Sequence, residues 1–80
     1  MNRAEAINIG YNNVVMKDKI IAVVSADAAP MRRLRNEASK SNRLIDATNG
    51  RKTRAIIITA SNHIILSSAL PETIAQRIEQ

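Results

Sequence analysis

Three stretches of this chain are apolar at every position: Ile20-Ile21-Ala22-Val23-Val24, Ile56-Ile57-Ile58 and Ile64-Ile65-Leu66. β-Branched residues dominate them, which points to strands. Successive side chains of a strand face opposite sides, so a strand apolar throughout needs cover on both. That demand falls on 80 residues, enough for a single domain spanning 1–80 with a thin core. Two short helices can cover one face of a small sheet. The other face then expects a second layer or another subunit, and so short a chain leaves little for a layer. The expectation is self-association; the alternative is a sheet curled over its own apolar side, as in a small barrel.

The remaining elements follow from local pattern. Ile7-Asn8-Ile9-Gly10 alternates like a short strand, Tyr11-Asn12-Asn13 reads as a turn, and Val14 to Met16 extends a strand up to Lys17-Asp18-Lys19. Asp27 marks an N-cap region and Pro30 suits a first helical turn. Met31, Leu34 and Ala38 form a narrow apolar stripe, with Arg32, Arg33, Asn36 and Lys40 away from it, over a helix from Pro30 to about Ser41. Leu44-Ile45 is a brief strand. Asp46 to Lys52 is a loop with Asn49-Gly50 at its tip, both residues tolerating positive φ. Thr53–Thr59 and His63–Ser67 form a hairpin about Ala60-Ser61-Asn62. Pro71 opens a last helix with Glu72 in its first turn and Leu70, Ile74, Ala75 and Ile78 on its buried side. The fold class is α+β, a small antiparallel β core with two short helices, without linker, repeat or low-complexity tract.

Composition narrows the chemistry. Without Cys there is neither disulfide nor Cys-based zinc site, and one His rules out a His-rich metal site. Tyr11 is the only aromatic residue, which removes the stacking platforms of ordinary single-strand binders. No stretch approaches the length of a membrane span, and MNRAEAINIGYN holds no apolar run of signal-peptide length. A cytoplasmic protein is expected. His63 lacks a positioned partner for acid–base work. Asp18, Asp27 and Asp46 have simpler roles in a charged turn, a cap and a polar loop. Ser67-Ser68 lacks the glycine setting of a nucleophile elbow, and Gly10 and Gly50 make no phosphate loop. No enzyme, no cofactor, no metal and no small-molecule ligand is expected.

Charge gives the positive signal. Twelve Lys and Arg stand against seven Asp and Glu, a net +5. Between Met31 and Arg54 lie eight basic residues and two acids, while the rest of the chain has four basic residues and five acids. So dense a basic segment suits nucleic-acid phosphates, though clustered cations also serve solubility alone. Its sharpest point is Gly50-Arg51-Lys52-Thr53-Arg54, where a tight turn delivers three cations and a hydroxyl to one place. In strand geometry Lys52 and Arg54 share a side. Arginine's planar fork fits phosphate oxygens and guanine edges.

Taken in order, INIGYNN at 7–13, SADAAP at 25–30, DATNGRKTRA at 46–55 and HIILSSALPET at 63–73 resemble the RemA-like family, small bacterial regulators of extracellular-matrix (biofilm) genes. The resemblance runs from about Ile7 to Arg77. It implies a DNA-binding transcriptional regulator whose protomer is similar to LytTR-type modules and assembles into a ring-like homo-oligomer. It further implies DNA contacts at Lys19, Arg51 and Lys52. The family pattern has Arg at all three, and this chain has Lys at 19 and 52, so charge is kept while bidentate geometry is not. Arg54 joins this set by proximity alone.

The expected partners are duplex DNA and further copies of the chain. Two alternatives share the same cations: a DNA-organising or structural assembly protein without sequence preference, and a binder of helical RNA. The helix carrying Arg32, Arg33 and Lys40 competes with the loop as the DNA element, as in helix-turn-helix proteins, but the strands count against that fold.

Overall fold

The structure, a computed structural model, describes residues 5–80; residues 1–4, part of the N-terminal stretch read above for a leader, lie outside it. The chain runs β1 (Ala6–Gly10), β2 (Asn13–Met16), a 3-10 turn (Lys17–Lys19), β3 (Ile20–Ser25), α1 (Ala29–Lys40), β4 (Leu44–Asp46), β5 (Ala55–Thr59), β6 (Ile64–Ser67) and α2 (Pro71–Glu79). β1 and β2 pair as a hairpin; the other four strands form one sheet in the order β3-β5-β6-β4.

That sheet is mixed. β3 and β6 flank β5 antiparallel, but β4 lies parallel to β6, with Leu44 beside Ile64 and Asp46 beside Leu66. The expected antiparallel core is corrected at this one pairing. A parallel neighbour needs a crossover connection. The run through the 47–54 loop and β5 supplies it between β4 and β6, while α1 carries the chain from sheet edge β3 to sheet edge β4.

The cover of the sheet also corrects the expectation. α1 lies on one face, where Ala38, with Met31 and Leu34, packs over Ile56, Ile64 and Leu66. α2 lies on the opposite face with the β1–β2 hairpin, and Ile74, Ile7, Ile9 and Val15 pack over Ala55, Ile57 and Ile65. Each helix takes a different face, and the hairpin is the second layer that the chain seemed too short to supply. The apolar strands therefore do not by themselves require a second subunit. Burying a side chain such as Ile57 stabilises the fold by about 1.5–3 kcal/mol.

Element ends explain smaller differences. The N-cap of α1 is Ala28, not Asp27, and it makes no side-chain cap bond; Pro30 stands in the first turn. The Asp27 N–H bonds to Ser25 Oγ at 3.3 Å. β5 begins at Ala55 rather than Thr53, although the Arg54 N–H donates to the Ser67 carbonyl at 2.8 Å and the Arg54 carbonyl accepts from Ala26 at 3.2 Å. Leu70 and Ala75, expected on the buried side of α2, are exposed, and Ile74 alone is fully buried there. Ser67 is a structural hydroxyl: buried, it donates to the Ile9 carbonyl at 2.7 Å and accepts from the Ala69 N–H, tying the hairpin to β6. At Gly10, with φ +108°, a Cβ would stand 3.2 Å from Ser68 Oγ.

Candidate nucleic-acid interface

The four-stranded sheet has two ends. One gathers the C-termini of β3, β4 and β6 and the start of β5; the other gathers the start of β3 and β4 and the β5–β6 turn. The loop from Ala47 to Arg54 stands at the first end, and its backbone is held at several points. The Ala47 N–H donates to the Leu66 carbonyl at 2.9 Å, and the Ala47 carbonyl accepts from Asn13 Nδ2 at 3.0 Å. The Asp46 carboxylate accepts from the Thr48 hydroxyl at 2.6 Å and from the Thr48 N–H at 2.9 Å. These two bonds, the hydroxyl first, hold the Asp46 carboxyl below its ordinary range, with the positive field of Arg35 adding and slight desolvation opposing.

Thr48 is only 2 % exposed, so the loop springs from an anchored base. Its tip is a tight turn. Asn49 and Gly50 take φ of +56° and +80°, and the Arg51 N–H donates back to the Thr48 carbonyl at 3.0 Å. The expected Asn-Gly turn is present, for the reason given: both residues reach the left-handed region at low cost. Arg51, Lys52 and Arg54 leave this turn exposed. They stand on an irregular segment, so the strand alternation expected for Lys52 and Arg54 does not apply.

Arg51 has a neighbour that pattern did not reveal. Its guanidinium carbon lies 5.5 Å from the centroid of the Tyr11 ring, in cation–π contact. Tyr11 belongs to the β1–β2 turn, and the Asn13 bond to Ala47 brings that turn against the loop. A tyrosine in a turn gives no signal of its own without knowledge of what the turn packs against.

Lys19 lies elsewhere. It ends the 3-10 turn, and its carbonyl accepts from the Ala60 N–H at 2.8 Å, beside the β5–β6 turn. Arg54 and Ala60 are six residues apart along β5, about 20 Å at strand rise. The structure thus brings Arg51, Lys52 and Arg54 together and leaves Lys19 at the other end of the same sheet.

The helix cations divide in the same way. Arg32 and Arg35 line an open cleft of about 600 Å³ with Ala26–Ala29 and Leu44, and the field of Arg35 reaches Asp46 at the loop base. Lys40 is at the far end of α1. Two arginines are committed to holding the fold: Arg43 donates to Ser41 Oγ and to the Asn62 carbonyl, and Arg77 donates to the Asn8 carbonyl. His63 closes the β5–β6 turn, its Nδ1 2.7 Å from Ser61 Oγ. Among the described residues, no helix is long and apolar enough to cross a membrane.

Comparison with known proteins bears on this interface. The family model described as RemA-like, extracellular matrix regulatory protein A-like, matches residues 6–78. A protein of Pseudothermotoga lettingae is 61 % identical over 74 residues, covering 92 % of this chain and 81 % of its own length. One of Thermosipho melanesiensis is 58 % identical over 74 residues, covering 92 % and 79 %. One of Thermotoga maritima is 61 % identical over 71 residues, covering 89 % and 77 %. Each carries the name "Putative regulatory protein". The match begins in β1 and ends in α2, taking in the Tyr11 turn, the Asn49-Gly50 turn and the cations after it, and the chain belongs to the RemA-like family of regulatory proteins.

Proposed function

We propose that this protein is a cytoplasmic, DNA-binding transcriptional regulator of the biofilm-matrix type, which binds duplex DNA through basic loops repeated around a ring-like homo-oligomer of LytTR-like protomers. The observation that carries the reading is the anchored turn that holds Arg51, Lys52 and Arg54 exposed in one place. Such a turn offers cations to phosphates with little backbone left to order on binding. Its function is binding rather than catalysis, and no cofactor enters it.

Self-association draws support from the sheet edges instead of its faces. β3 and β4 are the two edge strands, and Ile21 on β3 is 68 % exposed while Ile45 on β4 is 46 % exposed. Open edges with apolar side chains invite pairing with another chain. Lys19 stands at the start of edge strand β3, so one duplex reaches both Lys19 and the loop only by spanning about 20 Å of surface, or by touching different copies in an assembly. Linked weak sites gain affinity when the geometry lets several engage together.

The test is a titration of the protein with duplexes of increasing length against unrelated competitor, with duplex RNA of equal length beside it. The expected result is tight, sequence-preferring binding to DNA that spans several sites. Equal competition by any duplex would identify a DNA-organising protein, and preference for RNA an RNA binder; either would overturn the regulator reading.

A further inference from the structure

Among the described residues, five other than glycine have backbone φ in the left-handed region: Tyr11, Asn12, Asn42, Asn49 and Asn62. Four are asparagine, whose short amide side chain makes that conformation accessible. The fifth, Tyr11 at φ +52°, is the sole aromatic residue of the chain. The two-residue hairpin turn between Gly10 and Asn13 sets positive φ at both Tyr11 and Asn12, yet a bulky residue is costly there, where asparagine or glycine is the ordinary occupant. Core packing does not explain the choice of tyrosine, because Tyr11 is 48 % exposed. What its side chain does touch is Arg51, across 5.5 Å from ring centroid to guanidinium carbon.

We propose that Tyr11 is a positioning residue of the nucleic-acid interface, its ring holding the Arg51 guanidinium by the face so that the N–H edge stays free for a phosphate. A carboxylate in that place would take up the N–H donors and cancel the charge. An aromatic face uses neither, since the attraction is between the cation and the ring's quadrupole. The Asn13–Ala47 bond ties the Tyr11 turn to the base of the loop, which places the ring beside the segment that carries the guanidinium. The inference rests on the loop being the duplex-binding element and names the residue that aims its first cation.

The decisive variant is Tyr11→Asn, which gives position 11 the residue used at the other left-handed positions. It is expected to fold with a melting temperature equal to or above that of the unmutated protein, while binding multi-site duplex DNA at least about two- to fivefold more weakly, the exposed cation–π range. Its salt slope, d log K/d log[salt], is expected to stay unchanged because every cation remains, whereas Arg51→Ala lowers the slope by about one. Tyr11→Phe, which keeps the ring, is expected to bind like the unmutated protein. The Tyr11→Asn, Arg51→Ala double variant is expected to bind no worse than Arg51→Ala alone. Unchanged affinity in Tyr11→Asn, or losses that multiply in the double variant, would overturn the proposal while leaving the loop as the binding element. Absence of duplex binding by the unmutated protein would overturn the reading of the loop and this inference with it.

Discussion

The two ends of the four-stranded sheet carry the same kind of charge and use it differently. At the loop end, neutral and acidic groups hold the backbone: Asp46 binds Thr48, Asn13 binds Ala47, and Asn49 and Gly50 make the turn. Arg51, Lys52 and Arg54 are left exposed. At the opposite end a cation shares the holding with the Thr59, Ser61 and His63 bonds of the β5–β6 turn, since Arg43 donates to Ser41 Oγ and to the Asn62 carbonyl. Lys19 there stands on a three-residue 3-10 turn with no buried residue. A cation bound into the fold is less available to a ligand, and a long exposed side chain must be ordered when it binds, at about 0.5–1.5 kcal/mol per side chain. The comparison teaches that charge density alone does not locate an interface. What matters is whether other groups have taken over the structural work.

The largest expected effect tests whether one loop suffices. A duplex spanning several sites should bind about 10²–10⁴-fold more tightly than a single-site duplex if loops engage together. Equal affinities would confine binding to one protomer and remove the role of assembly. Next comes a comparison of the ends by salt titration. Arg51→Ala with Lys52→Ala should lower the slope of log affinity against log salt by about two, and Lys19→Ala by about one or less. A larger loss from Lys19→Ala than from the loop pair would reverse the ranking of the ends.

Backbone variants give smaller effects. Gly50→Ala meets no neighbouring atom within 4 Å but must keep φ near +80°, so it should cost about 1–2 kcal/mol, or roughly 4–16 °C in melting temperature for a domain of this size. Gly50→Asn should be close to neutral. If Gly50→Ala were harmless in both melting temperature and DNA binding, the turn would not be the rigid support described.

The smallest effect is a pH dependence at the loop base. The folded Asp46 pKa is depressed, so its carboxylate contributes stability that is fully present above the ordinary carboxylate range and is lost as pH falls through the lowered folded value. The melting temperatures of the unmutated protein and Asp46→Asn should therefore differ by a constant amount near neutrality and converge in acid. Curves that stay parallel down to the most acidic pH at which the protein remains folded would remove the carboxylate from the loop's support.

Much of this was legible in residue order because it depends on near neighbours. The Ile56–Ile58 and Ile64–Leu66 strands, the hairpin between them, the brief strand at Leu44-Ile45 and the Asn49-Gly50 turn are local, and all are present. The buried side of α2 was read too widely, because helical period marks an apolar stripe but not how much of it a neighbour covers: Ile74 is fully buried and Ile78 partly, while Leu70 and Ala75 stay exposed. The cations of the loop were found by turn chemistry. Tyr11 was not, since its contact with Arg51 crosses 40 positions of chain and depends on how a hairpin docks against a loop.

Amino-acid order by itself determined which segments become strands and helices, which positions turn the chain and where positive charge concentrates. Each of these follows from side-chain period, φ preference or composition within a few residues. Only the tertiary structure decided that α1 and α2 take opposite faces, that β4 runs parallel beside β6, and that Lys19 is separated from Arg51 while Tyr11 is brought to it. The physical reason is that period tells which side of an element is apolar but not which surface will cover it. That choice belongs to the packing of the whole chain, where two faces of one sheet competed for two helices and a hairpin.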